Sequence, residues 1–138
     1  MIVFDNNQLE IAVSTYKRPE YIETWLNKCY QSATDRNIAI SICDSSPDDR
    51  TEKVVKKFNS EKLSKVDYHR VDSSTIIGYK PMVSILETSA EYLWVAGDSR
   101  YHYFDELDEK VFPYIKDRSI DYVVINVGNN YQLPDTIY

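Results

Sequence analysis

Tyr92-Leu93-Trp94-Val95-Ala96-Gly97-Asp98-Ser99-Arg100 is the stretch that decides the fold. A run of apolar and aromatic residues ends abruptly in Gly-Asp-Ser-Arg. Such a run, short and with aromatic and β-branched content, predicts a central strand buried on both faces. Gly97 is expected to let the chain turn where a side chain would crowd it. Asp98 then stands at the carboxyl end of the strand, where ligands bind in open α/β sheets. A turn or helix-cap role fits Asp98 equally well on spacing alone. The functional reading gains weight from the way the other strands end.

Upstream, Ile11-Ala12-Val13, extended by Leu9, reads as a first strand ending in Ser14-Thr15-Tyr16-Lys17-Arg18-Pro19. Pro19 suits the first turn of a helix. Tyr21, Ile22, Trp25, Leu26 and Cys29 recur at helical spacing as one apolar stripe. A second unit repeats the design. Ile38–Cys43 is apolar and stops at Asp44-Ser45-Ser46, with Ser46 predicted as N-cap, Pro47 at the first helical position, and Asp48 and Asp49 at the positive end of the helix dipole. Val54, Val55 and Phe58 supply that helix's buried stripe, and Lys53, Lys56 and Lys57 its solvated face. Val66–Val71 alternates and reads as a strand near the sheet edge. Gly78-Tyr79-Lys80-Pro81 leads into a helix expected to bury Met82, Val83, Ile85 and Leu86. After Asp98, residues 104–117 read as helical, with Pro113 kinking or splitting the pattern. Tyr122-Val123-Val124-Ile125 reads as a last strand, and residues 128–138 show no period.

Strands alternating with helices predict an α/β fold, a mostly parallel sheet flanked by helices. Right-handed crossovers then bring Thr15, Asp44, the loop before Lys80, and Asp98 to one rim. Short polar loops at strand ends, most of them preceding a helix, describe an anion or nucleotide site.

Composition bounds the chemistry. At 138 residues the chain is one domain with ordinary globular proportions, 43% hydrophobic and 28% charged. The net charge of −6 argues against a nucleic-acid surface. Twelve tyrosines can wall a cleft, while only three glycines leave no material for a glycine-rich phosphate cradle. Cys29 and Cys43 read as small core residues of a reduced, cytosolic protein. No signal pattern opens the chain, and no apolar run reaches the ~18 residues of a membrane span. His69 and His102 read as an edge-strand and a loop residue. The remaining tools are carboxylates and cations. Asp44 can accept hydrogen bonds from a base or ribose, or merely begin an Asx turn. Asp98 can help hold a hard divalent cation. Arg18, Lys80 and Arg100 can meet a diphosphate, or be surface charges.

At these residues the chain resembles family 2 glycosyltransferases with the GT-A fold. Ile11–Pro19 is similar to that family's opening strand and Thr-Tyr-Asn-Arg loop. Ile40–Asp49 is similar to its second strand and Asp-rich turn, and Glu91–Asp98 to the strand leading to its metal-binding Asp-x-Asp. The ordered set covers residues 9–100. The resemblance implies a Rossmann-like, nucleotide-sugar-binding half of a longer enzyme that lacks its acceptor-binding part here. It implies a donor, usually a uridine diphosphate sugar, a hydroxyl acceptor in glycan or cell-surface polysaccharide synthesis, inverting displacement, and Mn²⁺ or Mg²⁺. Thr15 and Tyr16 would line the base site, with Arg18 near the diphosphate. Asp44, beside Ser45, would bind the base, and Asp98, after Gly97, would be the metal-side carboxylate. A cytoplasmic location, peripheral at the inner membrane face, follows by analogy, and dimerisation is one way to cover apolar surface left by a missing half.

Two departures bear on this. Lys17 stands where the family usually has Asn, and Arg100 where the second metal-binding acid belongs. A guanidinium cannot ligate a cation. Either one carboxylate and the diphosphate hold the metal, or Arg100 neutralises phosphate itself, or the site is degenerate. Asp105, Glu106 and Asp108 read as the acidic start of a helix, so no general base is assigned. The alternative is a non-catalytic pseudo-glycosyltransferase module that binds nucleotide or protein. A nucleotidyltransferase is a weaker reading, for want of a Gly/Arg-rich first loop, and a receiver domain weaker still, for want of an acidic pair beside a strand-end Asp.

Overall fold

A computed structural model describes residues 1–74 and 79–123. Four strands form one all-parallel sheet: β1 (Leu9–Thr15), β2 (Ala39–Asp44), β3 (Asp67–Arg70) and β4 (Tyr92–Gly97). Among the described residues their order is β3-β2-β1-β4. The intervening helices are α1 (Pro19–Asp35), α2 (Arg50–Lys62) and α3 (Lys80–Glu87), and α4 (Phe104–Lys110) and α5 (Phe112–Lys116) follow β4. The fold is α/β and Rossmann-like. The chain steps outward from β1 to β3, then returns to place β4 on β1's other side. The strand order therefore reverses between β1 and β4, the position at which open α/β sheets set their ligand crevice, outside the carboxyl ends of the strands.

Sequence periodicity accounts for the α1 side of the sheet. Ile22, Trp25, Leu26, Cys29 and Ala33 are buried along α1 and meet Leu9, Ile11 and Val13 of β1 and Ile40 and Ile42 of β2 in one core. Tyr21, expected on that stripe, is 42% exposed. From α2, Val55 and Phe58 join the core and Val54 packs against it. Lys53, Lys56 and Lys57 are solvated and pair with Asp49, Glu52 and Glu61 at one-turn spacing. The 104–117 pattern splits at Val111, because Pro113 sits in the first turn of α5, where it needs no N–H partner. Phe112 of α5 stands edge-on to Phe4, with ring centroids 5.1 Å apart. Buried Gln8 closes the end of α5, its Nε2 donating to the carbonyls of Ile115 (2.9 Å) and Lys116 (3.0 Å). Arg36 fastens α1 to α4 through a forked pair with Asp108, at 3.1 and 2.6 Å. Asp108 is thus a structural acid.

The other face differs from expectation. Met82, Ile85 and Leu86 of α3 are exposed, at 56%, 60% and 82%, and Val83 is half-buried. The buried positions of α3 are Lys80 and Ser84. The reason lies in the sheet. The side chains alternating with the core stripe of β1 and β2 include Glu10, Ser41 and Cys43, so this face is polar. Ser41 Oγ and Thr88 Oγ1, just past α3, donate to the two oxygens of Glu10, each at 2.6 Å. A helix that covers such a face turns its polar stripe, positions 80, 84 and 88, inward and its apolar residues outward.

Three further expectations are corrected. β4 is an edge strand among the described residues, half-buried rather than buried on both faces, and Val95 is 39% exposed. The helix after β2 starts at Arg50, not Pro47, and its preceding residue Asp49 makes no side-chain cap. Ser46 is occupied elsewhere: its Oγ accepts the Lys17 N–H at 2.7 Å. Gly97 relieves no crowding, since a Cβ there would meet nothing within 4 Å. β3 is an edge strand, as its alternation predicts. Of the expected last strand, Val124 and Ile125 lie outside the described residues, as do Gly78 and the stretch 128–138; Tyr122 and Val123 carry no strand structure. Cys29 and Cys43 are buried free thiols. Among the described residues no helix is long and apolar enough to cross a membrane.

The facing of α1 and α3 is measurable by urea denaturation. Ile22→Ala, which empties a wholly buried site, should cost about 2–5 kcal/mol. Leu86→Ala should change stability by no more than about 0.5 kcal/mol, although both residues belong to apolar stripes in the sequence.

Candidate functional site at the β1–β4 crevice

The rim residues expected from the sequence come together through direct bonds. β1 ends at Thr15, whose Oγ1 donates to Asp98 Oδ2 at 2.8 Å, across the gap between β1 and β4. Arg18, just before α1, reaches back so that its Nη1 donates to Asp98 Oδ1 at 3.2 Å. Asp98 is 5% exposed, so its charge is neutralised within the protein. The Arg18 side chain, by contrast, is 52% exposed and lies over the Tyr21 ring, 5.2 Å from its centroid. Its remaining N–H groups take no partner among the described residues.

The Thr15 carbonyl is a second hub. It accepts the Ser45 N–H at 3.3 Å and the Lys80 ammonium. Lys80 is 2% exposed, and burial pushes its pKa down while Cys43, Asp44 and Asp98 nearby oppose that shift. Burial likewise pushes the Cys43 thiol up, and a hydrogen bond with Ser84 of α3 offsets part of the rise. Lys80 Nζ also lies 5.7 Å from the centroid of the Tyr16 ring, and Tyr16 is 44% exposed at the crevice mouth.

Asp44 is wholly buried and satisfied from within. It begins an Asx turn, accepting the Ser46 N–H at 2.8 Å on Oδ1. Its Oδ2 accepts the Tyr68 hydroxyl at 2.6 Å. Burial and this bond to a carboxylate push the Tyr68 phenol up to about 12. Tyr68 escaped the sequence reading. The alternation of β3 implies that it shares a face with buried Val66, yet nothing in sequence ties its hydroxyl to Asp44. Lys17 adopts φ 54°, the left-handed region where Asn is favoured over Lys.

Arg100 stands on the loop after β4 with its side chain exposed. The loop is pinned from below: the Trp25 indole N–H donates to the Arg100 carbonyl at 2.9 Å. Its guanidinium makes no ion pair among the described residues. Beneath it His102 packs edge-on against Trp94, with centroids 4.2 Å apart, and against Trp25 at 5.7 Å. Burial holds the imidazole neutral, its pKa down to about 4.

The donor set does not suit a divalent cation. Both oxygens of Asp98 are engaged, one by a guanidinium, and Arg100 offers no ligand atom. Among the described residues no three of His, Cys, Asp and Glu stand together as a metal group. Among the described residues, what the crevice offers is an exposed aromatic ring, a half-exposed arginine with free donors, and an arginine without an ion pair, above buried Thr15, Asp98, Lys80 and Asp44. That combination suits a ligand with a flat ring and negative charge.

Two measurements test these assignments. Because the folded pKa of His102 lies below its ordinary 6.5, the unfolded chain takes the proton first as pH falls. The contribution is complete above pH 6.5 and is lost between 6.5 and about 4. In urea titrations across that window His102→Phe should have the shallower loss of stability, by roughly 1–3 kcal/mol in total. Lys17→Gly, at its left-handed φ, should stabilise the fold by about 0.5–1 kcal/mol. Compared with known proteins, the chain matches no family model and no curated sequence.

Proposed function

We propose that the chain is the donor-binding part of a glycosyltransferase, which takes a nucleotide diphosphate sugar, UDP-linked by resemblance, for transfer to a hydroxyl acceptor in glycan or cell-surface polysaccharide synthesis. One observation carries the reading: at the point where strand order reverses, Thr15, Arg18 and Asp98 form a bonded cluster beside the exposed Tyr16 ring. A nucleoside fits there by stacking its base on Tyr16. Its diphosphate then lies towards Arg18 and the Arg100 loop, with open space over Gly97 for the attached group. In transfer, the bond from sugar carbon to diphosphate oxygen breaks as the acceptor oxygen attacks. The departing diphosphate gains negative charge, and fixed guanidinium groups stabilise it. The attacking hydroxyl gives up its proton to a base, and the site acts in the cytoplasm, at the inner membrane face.

A second reading, a non-catalytic module of the same fold, is favoured by the Arg18–Asp98 pair, which leaves the strand-end acid already neutralised. Saturation-transfer NMR and calorimetry with uridine diphosphate separate the two. The donor-site reading expects saturable binding with transfer to the uracil protons. Tyr16→Ala should weaken it by about tenfold, as loss of one base–aromatic stack does. Absence of binding at millimolar nucleotide, with and without Mn²⁺, overturns the reading in favour of the protein-interaction module.

A further inference from the structure

We infer that this crevice recognises a nucleoside diphosphate without a divalent cation, Arg18 taking at Asp98 the place a metal ion would hold. The inference rests on the donor-site reading above and concerns how that site meets its anion.

A metal bridging protein and diphosphate needs a carboxylate with free lone pairs and room beside it. Asp98 has little room to spare: Thr15 Oγ1 already donates to one oxygen at 2.8 Å and Arg18 Nη1 to the other at 3.2 Å, and the residue is only 5% exposed. The guanidinium is already a cation on this carboxylate, and it is fixed on both sides. Its Nη1 is bonded, and its plane lies over the Tyr21 ring, 5.2 Å from the centroid. Half of the side chain still faces solvent. Such a group can present its unused N–H donors to phosphate oxygens without giving up Asp98, because five donors share one planar fork. Displacing it by a metal would break an ion pair at a buried carboxylate before any new ligand forms.

The charge balance agrees. Around the crevice Arg18, Lys80, Arg100 and Lys17, whose ammonium lies 5.2 Å from the centroid of the Tyr16 ring, stand against Asp44 and Asp98, so cations are in excess although the whole chain carries −6. Of these, Arg100 is exposed and without an ion pair among the described residues, on a loop held by Trp25. Its position two residues after Asp98 puts a cation where a second metal-binding acid would otherwise stand. The α1 axis, with its positive end at Arg18, adds to the same potential. A diphosphate thus meets organic cations.

Calorimetric titration of the full chain with uridine diphosphate, in EDTA and in Mn²⁺, tests this, with thermal melts to verify that the variants fold. The expected result is an affinity equal within about twofold in the two conditions. Arg18→Gln and Arg100→Gln should each weaken it by at least about tenfold in EDTA. Arg100→Gln changes an exposed side chain, so it stays informative even if Arg18→Gln unfolds. An affinity that rises tenfold or more with Mn²⁺ and loses the rise in Asp98→Ala would overturn the inference while leaving the nucleotide site standing. Metal-independent binding that neither arginine variant affects would overturn it too. No binding in either condition removes the donor-site reading, and the inference with it.

Discussion

The Lys80 ammonium is buried, and much of the arrangement around the crevice follows from that. A charge taken out of water is tolerable only with close hydrogen bonding and opposite charge. Here the carbonyl of Thr15 accepts a hydrogen bond from it, and Asp44 and Asp98 lie near enough to offset its desolvation. Those partners come from three strand ends, so the ammonium acts as a rivet through β1, β2 and β4. It also fixes α3. With Lys80 directed inward, Ser84 and Thr88 follow on the same side at helical spacing, and the polar stripe of the sheet is answered in kind. The same geometry forces Met82, Ile85 and Leu86 outward, leaving an apolar helix surface.

Much of the fold was legible in periodicity, because the α1 side is built mainly by burial of apolar stripes. The start of α1 at Pro19, the edge position of β3, the solvated lysines of α2 and the break near Pro113 all follow from local rules. The α3 side was not legible, since a helix against a polar layer carries its apolar residues on the wrong side for the usual inference. Ser46 misled for a different reason. It is an ordinary N-cap residue type, but Lys17, brought close only by the β1–β2 pairing, claims its hydroxyl. The Tyr92–Gly97 run is apolar enough for a central strand, yet it occupies the edge of the described sheet.

The site was legible as a set of strand ends and illegible as a network. Thr15, Asp44 and Asp98 could be placed on one rim by handedness, but Arg18 and Asp98 are 80 residues apart and each looks like an uncommitted charge in sequence. The structure turns them into a pair. Asp44 likewise is spoken for by Ser46 and Tyr68. The glycosyltransferase resemblance rests on residues that do converge, and its two departures acquire physical content. Lys17 occupies a backbone conformation that Asn tolerates better, and Arg100 adds an exposed cation on the loop after β4.

The pinning of the Arg100 loop by Trp25 has an optical consequence. The chain has two tryptophans, and both flank His102 directly beneath that loop. All of the protein's indole emission therefore originates under the crevice, from one ring bonded to the Arg100 carbonyl and another stacked edge-on to the imidazole. Movement of the loop, or charging of the imidazole, alters the surroundings of both fluorophores at once. The molecule carries its own label at the place where a ligand would be felt.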